Sequence, residues 1–271
     1  MLQLNPRTWY YTQAGTSDQA DAGLSTLAYQ DTFIRMIPQL QDPSPSGILH
    51  FYQNLYPTVI LGPKDNRLSR LDRGLAFLQE KGYAVHLRAH GGLAVVADPG
   101  VLNISYIVDT QDQPLSIDQA YQAMVDWVSL AFEKSFGVTV TAKEIPQSYC
   151  PGTYDLVVEG QKIGGIAQRR FKSGLATAAY LSITGDQEGR CHLIRDFYLA
   201  SDASDAYPKV DASVMANLDH FVEGVSIDRV KLALLSNLGQ QQAHQALTTI
   251  DQPLYDQMLV KSQQRNQTLN H

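Results

Sequence analysis

The chain of 271 residues is 44% apolar and 18% charged, which is typical of a globular protein that buries a sizeable core in one or two domains. Its formal net charge of -6 provides no overall basic field to hold nucleic acid or an anionic membrane. The first residues lack a basic stretch followed by an apolar one, and no run of about 18 apolar residues occurs. We therefore expect a cytoplasmic protein without a signal peptide or membrane span, in which Cys150 and Cys191 are reduced thiols.

The first half of the sequence predicts one helix followed by strands. Apolar residues at helical spacing between Leu24 and Ile37 predict a helix that ends at Pro38, and residues 41–47 read as a loop rich in proline and serine. Short apolar runs with β-forming residues, separated by glycine and proline, then predict strands at 48–52, 58–61, 83–87, 93–97 and 102–108.

The second half begins with the clearest predicted helix. Ser116 and Gln119 fit a capping box, apolar residues follow on one face, and Gly137 fits a stop. Strands are predicted at 156–158, 163–167 and 175–184, with hairpin turns at Glu159-Gly160 and at 172–174. From about Asp211 the pattern returns to helix, and the polar residues 262–271 are expected to fray.

Strands therefore dominate the middle of the chain, and helices flank them without regular βαβ alternation. This order predicts an α+β fold with a largely antiparallel or mixed sheet. The predicted organisation is an N-terminal helical segment packed on the main domain (residues 1–46), the main domain itself (47–240), and a C-terminal helical extension with a polar tail (241–271).

Two segments in the middle of the chain carry residues suited to chemistry. In the first, Gly91 and Gly92 follow Arg88 and His90 between two predicted strands. Glycines let a ligand approach the backbone, and free amides in such a loop bind a carbonyl or a phosphate, although a tight turn is the more common meaning. His90 has no second histidine at metal-ligand spacing, so we expect no metal site. In the second segment, Cys150 precedes proline and glycine in a turn where a thiol can be accessible, although such a cysteine is more often inert.

A third segment contains Lys162 at the start of an apolar strand with Gly164 and Gly165. The plain interpretation is an exposed lysine at a strand end beside a bulge. The functional interpretation is a cation that favours the thiolate of Cys150, since the thiolate is the nucleophilic form. A simple hairpin sets Lys162 opposite Val157 and leaves Cys150 several residues further out, so spacing alone does not bring the lysine and the cysteine together.

In this order, the three segments resemble the biotin/lipoate protein ligase superfamily over residues 47–238. RAHGGLAVVAD resembles its lipoyl-binding loop, and GQKIGGIAQRR resembles its lysine strand, with Lys162 in the lysine position. The segments LGPKD, GVLNIS, SYCPGTYDL and GIAQRR make the chain most similar to the octanoyl-[H protein]:protein N-octanoyltransferase family. His90 departs from that pattern, since many relatives are expected to have a small residue such as serine there.

The resemblance implies the fold of lipoate ligases with a cysteine acyl-thioester in place of ATP, and no cofactor. It implies that Cys150 is the nucleophile and that Lys162 supports its thiolate. The residues implied to bind the acyl substrate are Arg88, His90, Gly91, Gly92, Gly164 and Gly165. The implied reaction moves an octanoyl (or lipoyl) group from a lysine of the glycine cleavage H protein to a lysine of the lipoyl domains of 2-oxoacid dehydrogenase E2 subunits.

Three alternatives stay open from the sequence. An octanoyltransferase that takes its acyl group from acyl carrier protein would share the cysteine and the lysine. An ATP-dependent lipoate ligase would not need Cys150, and the chain lacks an evident additional C-terminal domain of the kind linked to adenylation. A non-catalytic protein that binds lipoyl or biotin domains would keep the fold, but the presence of both Cys150 and Lys162 argues against it.

Overall fold

The computed structural model describes residue 6 and residues 8–40, 45–238 and 243–270. Its strands are β1 (Thr8–Thr12), β2 (Ser46–Tyr52), β3 (Thr58–Leu61), β4 (Ala84–Leu87), β5 (Val95–Ala97), β6 (Val101–Asp109), β7 (Thr141–Ala142), β8 (Leu156–Val158), β9 (Gln161–Phe171), β10 (Gly174–Ser182) and β11 (Ala243–Ala246). Its α-helices are α1 (Ala22–Met36), α2 (Leu71–Glu80), α3 (Ile117–Phe136), α4 (Gln187–Ala200), α5 (Ile227–Ser236) and α6 (Gln252–Gln267).

The strands form two sheets of mixed direction. The main sheet has the order β11-β1-β2-β6-β10-β9-β8-β7, and the smaller sheet has the order β4-β3-β5. Strand β1 runs parallel to β2 and β11, whereas β6, β10, β9 and β8 pair antiparallel with their neighbours. The predicted α+β fold with a mixed sheet flanked by helices is therefore confirmed.

Helices cover both faces of the main sheet and one side of the smaller sheet. Apolar residues of α3 and α5 pack on one face of the main sheet, and Phe33 and Ile34 of α1 pack on the other. Helices α2 and α4 pack on the smaller sheet. Within the described residues, no helix is long and apolar enough to cross a membrane.

Helix α3 forms where the sequence predicts it. The Ser116 side chain accepts a hydrogen bond from the backbone N–H of Gln119, and the Gln119 side chain accepts one from the backbone N–H of Ser116. Such a cap stabilises a helix by about 1 kcal/mol. Gly137 ends the helix with a φ of 70°, which glycine adopts without steric strain.

The predicted return to helix from about Asp211 is wrong for the first part of that stretch. Short 3-10 turns lie at Ala212–Val214 and Leu218–His220, and the α-helix begins only at Ile227. Met215 forms a β-bridge with Lys162, and the Asn217 side chain accepts a hydrogen bond from Arg190. These tertiary contacts override the helical spacing of the apolar residues.

The fraying predicted for residues 262–271 is also wrong for the residues up to Asn270. Helix α6 continues to Gln267 and packs on α1. Near its end, Arg265 lies 3.6 Å from Asp31, and Asn266 accepts a hydrogen bond from the backbone N–H of Leu87. Of the predicted loop at 41–47, residues 41–44 lie outside the described residues and the last two open β2. The division of the chain into three segments stays a prediction, although β1 and β11 belong to the same sheet as the middle strands.

Candidate active site

A cavity of about 250 Å³ lies between α1, the loop at residues 88–92 and the main sheet. Strand register determines its floor, because Gly165 of β9, Tyr180 of β10 and Asn103 of β6 lie side by side. Two residues further along the strands, Ala167 pairs with Ala178 on the same face. Because glycine and alanine have small side chains, the sheet surface forms a trough here.

Cys150 contributes to the wall of this trough from a tight turn. Its φ of 50° is unusual for a residue other than glycine, and such a conformation costs on the order of 1–3 kcal/mol. The side chain is half-buried. Its Sγ accepts a hydrogen bond from the backbone N–H of Leu93 at 3.1 Å and lies 3.8 Å from Nη2 of Arg88. Two donors therefore point at the sulfur.

Lys162 lies beneath the turn and is fully buried. Its Nζ is 2.8 Å from the carbonyl oxygen of Cys150, 3.0 Å from that of Tyr149 and 3.1 Å from Oγ of Ser148. Nζ also forms an ion pair with Asp155 at 2.9 Å, and burial raises the pKa of that carboxyl. The lysine therefore contacts the main chain of Cys150, and its four acceptors outnumber its three N–H donors.

The loop that carries Arg88 packs tightly against the thiol. The buried guanidinium donates hydrogen bonds to the carbonyl oxygens of Ile60, Gly91 and Leu93. Gly92 has a φ of 95°, and a Cβ at this position would lie 2.7 Å from Nη2 of Arg88 and 2.9 Å from Sγ of Cys150. Only glycine therefore lets the loop bring the guanidinium and the sulfur together.

His90 is the predicted site residue with the least satisfied side chain. It is 6% exposed and lines the trough, and neither ring nitrogen has a hydrogen-bond partner within the described part of the chain. Burial, and then the nearby Arg88, lower its pKa to about 3, so the ring is neutral. Side-chain amide nitrogens of Gln30 and Asn103 on the same cavity also lack partners among the described residues.

The structure brings most of the predicted site residues together. The trough is lined by Arg88, His90, Gly91, Gly92, Cys150 and Gly165. Lys162 lies behind the lining, opposite Val157 on the neighbouring strand as the hairpin register predicts. Gly164 faces away from the trough, where a Cβ would meet Leu181 and Leu156. Gly164 therefore lies on the face of β9 that packs against the core, and it does not line the trough.

Sequence reasoning missed Asp155, the partner of Lys162, and the amide of Leu93. Asp155 ends the SYCPGTYD segment, and a carboxylate next to a buried strand would have indicated a partner for the lysine. The amide of Leu93 has no sequence signal, because every residue except proline has the same backbone donor.

Cys191 differs from Cys150 in both position and chemistry. It lies 1% exposed in the core beside Met215 and Gln187, and burial raises the pKa of its thiol to about 11. The thiol of Cys191 is therefore protonated at neutral pH and inaccessible. Within the described residues, no group of three or more histidine, cysteine or acidic side chains is arranged to hold a metal ion.

Known proteins are similar to this chain over most of its length. Residues 23–239 match the model of the lipoyl protein ligase A/B catalytic domain. A lipoyl-[GcvH]:protein N-lipoyltransferase of Listeria monocytogenes is 36% identical over 241 residues, which cover 87% of this chain and 84% of that protein. An octanoyl-[GcvH]:protein N-octanoyltransferase of Macrococcus caseolyticus is 36% identical over 269 residues, which cover 96% of this chain and 94% of that protein.

A solved structure supports the fold independently. A bi-partite lipoate protein ligase from Thermoplasma acidophilum superposes with a TM-score of 0.68 at 19% identity, covering 98% of both chains. The resemblance inferred from the three sequence segments is therefore confirmed. Since the family match spans most of its length, this chain belongs to the lipoyl protein ligase A/B catalytic-domain family.

Proposed function

We propose that the chain is an acyltransferase that moves an octanoyl group from a lysine of the glycine cleavage H protein to a lysine of the lipoyl domains of 2-oxoacid dehydrogenase E2 subunits. A thioester on Cys150 links the two halves of the reaction. The observation that carries this proposal is the half-buried thiol of Cys150, contacted by two donors in the wall of a trough. The names of relatives, which combine octanoyl or lipoyl transfer with GcvH, support the donor.

The reaction consists of two exchanges at one carbonyl carbon. In the first, the sulfur of Cys150 bonds to the carbonyl carbon of the donor amide, the C–N bond breaks, and the thiol proton ends on the departing lysine amine. In the second, the amine of the acceptor lysine attacks the thioester, forms a new amide and returns the thiol. One amide is broken and another is made, so the free energy of the transfer is close to zero and no nucleotide is needed. The covalent intermediate divides the transfer into two easier steps.

The loop and the trough support the two ends of the acyl group. Backbone amides of the Gly91-Gly92 loop are suited to stabilise the oxyanion that forms at the carbonyl. The alkyl tail would lie over Ala167 and Ala178. Each CH₂ buried there contributes about 0.8 kcal/mol, so an octanoyl tail contributes on the order of 5 kcal/mol. Lys162 holds the turn that carries the nucleophile.

An experiment with defined donors tests this proposal. The purified protein is mixed with octanoylated H protein and an unmodified lipoyl domain, without ATP or magnesium, and the mass of the lipoyl domain is followed. Parallel reactions contain lipoylated H protein, octanoyl-acyl carrier protein, or free octanoate with ATP and magnesium. We expect transfer from H protein without nucleotide. Transfer only from acyl carrier protein, or a strict requirement for ATP, would contradict the proposal and favour the corresponding alternative enzyme.

A further inference from the structure

Arg88 is a buried cation without a counter-charge in contact with it. Its side chain belongs to a residue that is only 7% exposed, and no carboxylate of the described residues forms an ion pair with it. Its hydrogen bonds to three carbonyl oxygens leave the positive charge in place. A buried charge is costly unless an opposite charge accompanies it.

The group in contact with this guanidinium that can become negative is the thiol of Cys150, 3.8 Å from Nη2. Asp65 also interacts electrostatically with Arg88, but its carboxylate accepts hydrogen bonds from the backbone N–H of Gly62 and from the hydroxyl of Tyr198. Burial raises the pKa of Asp65 to about 6 despite the arginine. Asp65 therefore does not compensate Arg88 by direct contact.

Lys162, by contrast, already has its counter-charge. Its Nζ lies 2.9 Å from a carboxylate oxygen of Asp155, and both side chains are buried. The pair is neutral as a whole, so its field at the sulfur is that of a dipole and falls off faster than the field of a single charge. The contact of Lys162 with Cys150 is with the carbonyl oxygen.

No other charged side chain of the described residues contacts the sulfur of Cys150. Four tyrosines lie close enough to the thiol or to Arg88 to interact with them electrostatically. Burial raises the pKa of each, so they are neutral: Tyr52, Tyr121, Tyr180 and Tyr198. The ring of His90 is neutral, since its pKa is about 3. The cations Arg35, Arg169 and Arg265 share the single carboxylate of Asp31, and none of the three contacts the sulfur.

We propose that Arg88, together with the backbone N–H of Leu93, supplies the charge that stabilises the thiolate of Cys150, and that Lys162 is a positioning residue for the turn. This inference rests on the proposed function, because it assigns the group that activates the nucleophile. Ionisation releases the thiol proton to water; the thiolate then attacks the donor carbonyl, and the departing lysine nitrogen takes a proton from water. The net exchange is therefore unchanged.

Alkylation of the free enzyme tests the inference without any acyl substrate. A Cys191→Ala background leaves Cys150 as the single thiol of the chain, and its rate of reaction with iodoacetamide is measured from neutral to alkaline pH. In Arg88→Gln we expect the rate at neutral pH to fall about tenfold, and the difference from the parent to vanish above about pH 10, where a thiol ionises without help. The alkylation rate of Arg88→Lys at neutral pH should lie between the rates of the parent and of Arg88→Gln.

Two further variants keep the result interpretable. Gly92→Ala retains Arg88 but inserts a methyl group between the guanidinium and the sulfur, so we expect the same pH-dependent loss even if Arg88→Gln fails to fold. The double variant Lys162→Met/Asp155→Leu removes a neutral pair, and its loss at neutral pH should be smaller than that of Arg88→Gln.

Three results would overturn the inference: unchanged rates in both Arg88→Gln and Gly92→Ala, losses that persist at alkaline pH, or a larger pH-dependent loss in the Lys162 double variant. A failure of acyl transfer in the donor experiment would leave these alkylation rates unaffected, so the two proposals fail separately.

Discussion

Replacing Lys162 by methionine should destabilise the protein strongly, because the lysine joins three parts of the active-site turn. Its Nζ contacts Ser148, Tyr149 and Cys150, and it pairs with the buried Asp155. In Lys162→Met the carboxylate stays buried without its partner, and two carbonyl oxygens lose a donor.

The expected magnitude follows from the burial of both partners, which are 0% and 1% exposed. Breaking a buried ion pair by removing one partner typically costs about 3–5 kcal/mol. That is a large fraction of the roughly 5–15 kcal/mol by which domains are stable. Replacing both partners with apolar residues, as in Lys162→Met/Asp155→Leu, should cost less than the single change, because no charge remains buried alone.

Denaturant unfolding followed by tryptophan fluorescence measures these differences. Lys209 and Asp205 provide a matched control, since this pair has a similar N–O distance of 3.1 Å but is 85% and 92% exposed. We expect Lys209→Met to leave the unfolding midpoint unchanged, because solvent screens exposed pairs. The reasoning is refuted if Lys162→Met unfolds at the wild-type midpoint, or if the double variant loses the sum of the two single changes.

Three other changes have defined outcomes. The pKa of His90, about 3, lies below its ordinary value near 6.5, so the wild type loses stability as pH falls through this window. When the pH is lowered from 7 to 4, the free energy of unfolding of His90→Ser should fall by about 3 kcal/mol less than that of the wild type. Equal losses in the two proteins would refute this. Burial raises the pKa of Asp65 to about 6, so ionisation of this carboxyl costs stability as pH rises. Between pH 4 and pH 7, the free energy of unfolding of Asp65→Asn should therefore rise by about 2 kcal/mol relative to that of the wild type. A difference that does not change with pH would refute this. Cys191→Ala should cost about 1 kcal/mol of stability and leave acyl transfer intact; loss of transfer in a folded variant would contradict the role given to Cys150.

Local patterns predicted the elements whose burial follows simple periodicity. Helix α3 and its caps, the strands β2, β6, β8, β9 and β10 and the pairing of Val157 with Lys162 agree with the sequence, whereas β1, β7 and β11 were not predicted. Helix α4 was not predicted, because its inward face carries polar residues. Arg190 of α4 is buried and paired with Asp98, and Gln187 is 7% exposed. Polar residues satisfied by tertiary partners interrupt the apolar pattern on which the prediction depends.

The candidate site was predictable in its residues but not in its contacts. The resemblance to a family supplied Cys150, Lys162 and the loop at Arg88. The turn that folds Cys150 over Lys162 depends on the buried Asp155 and on a φ of 50° at the cysteine, and this backbone angle has no local signal. The resemblance implied that Lys162 supports the thiolate, whereas the contact of Lys162 with Cys150 is with the carbonyl oxygen.

The central proposal, that Cys150 carries the acyl group, is tested most directly by the intact mass of the protein after incubation with octanoylated H protein. We expect a gain of one octanoyl group that hydroxylamine removes, and peptide mapping should assign it to Cys150. Cys191→Ala should form the same adduct, and Cys150→Ala should form none and transfer nothing. An adduct on Cys191, or full transfer by Cys150→Ala, would contradict the proposal.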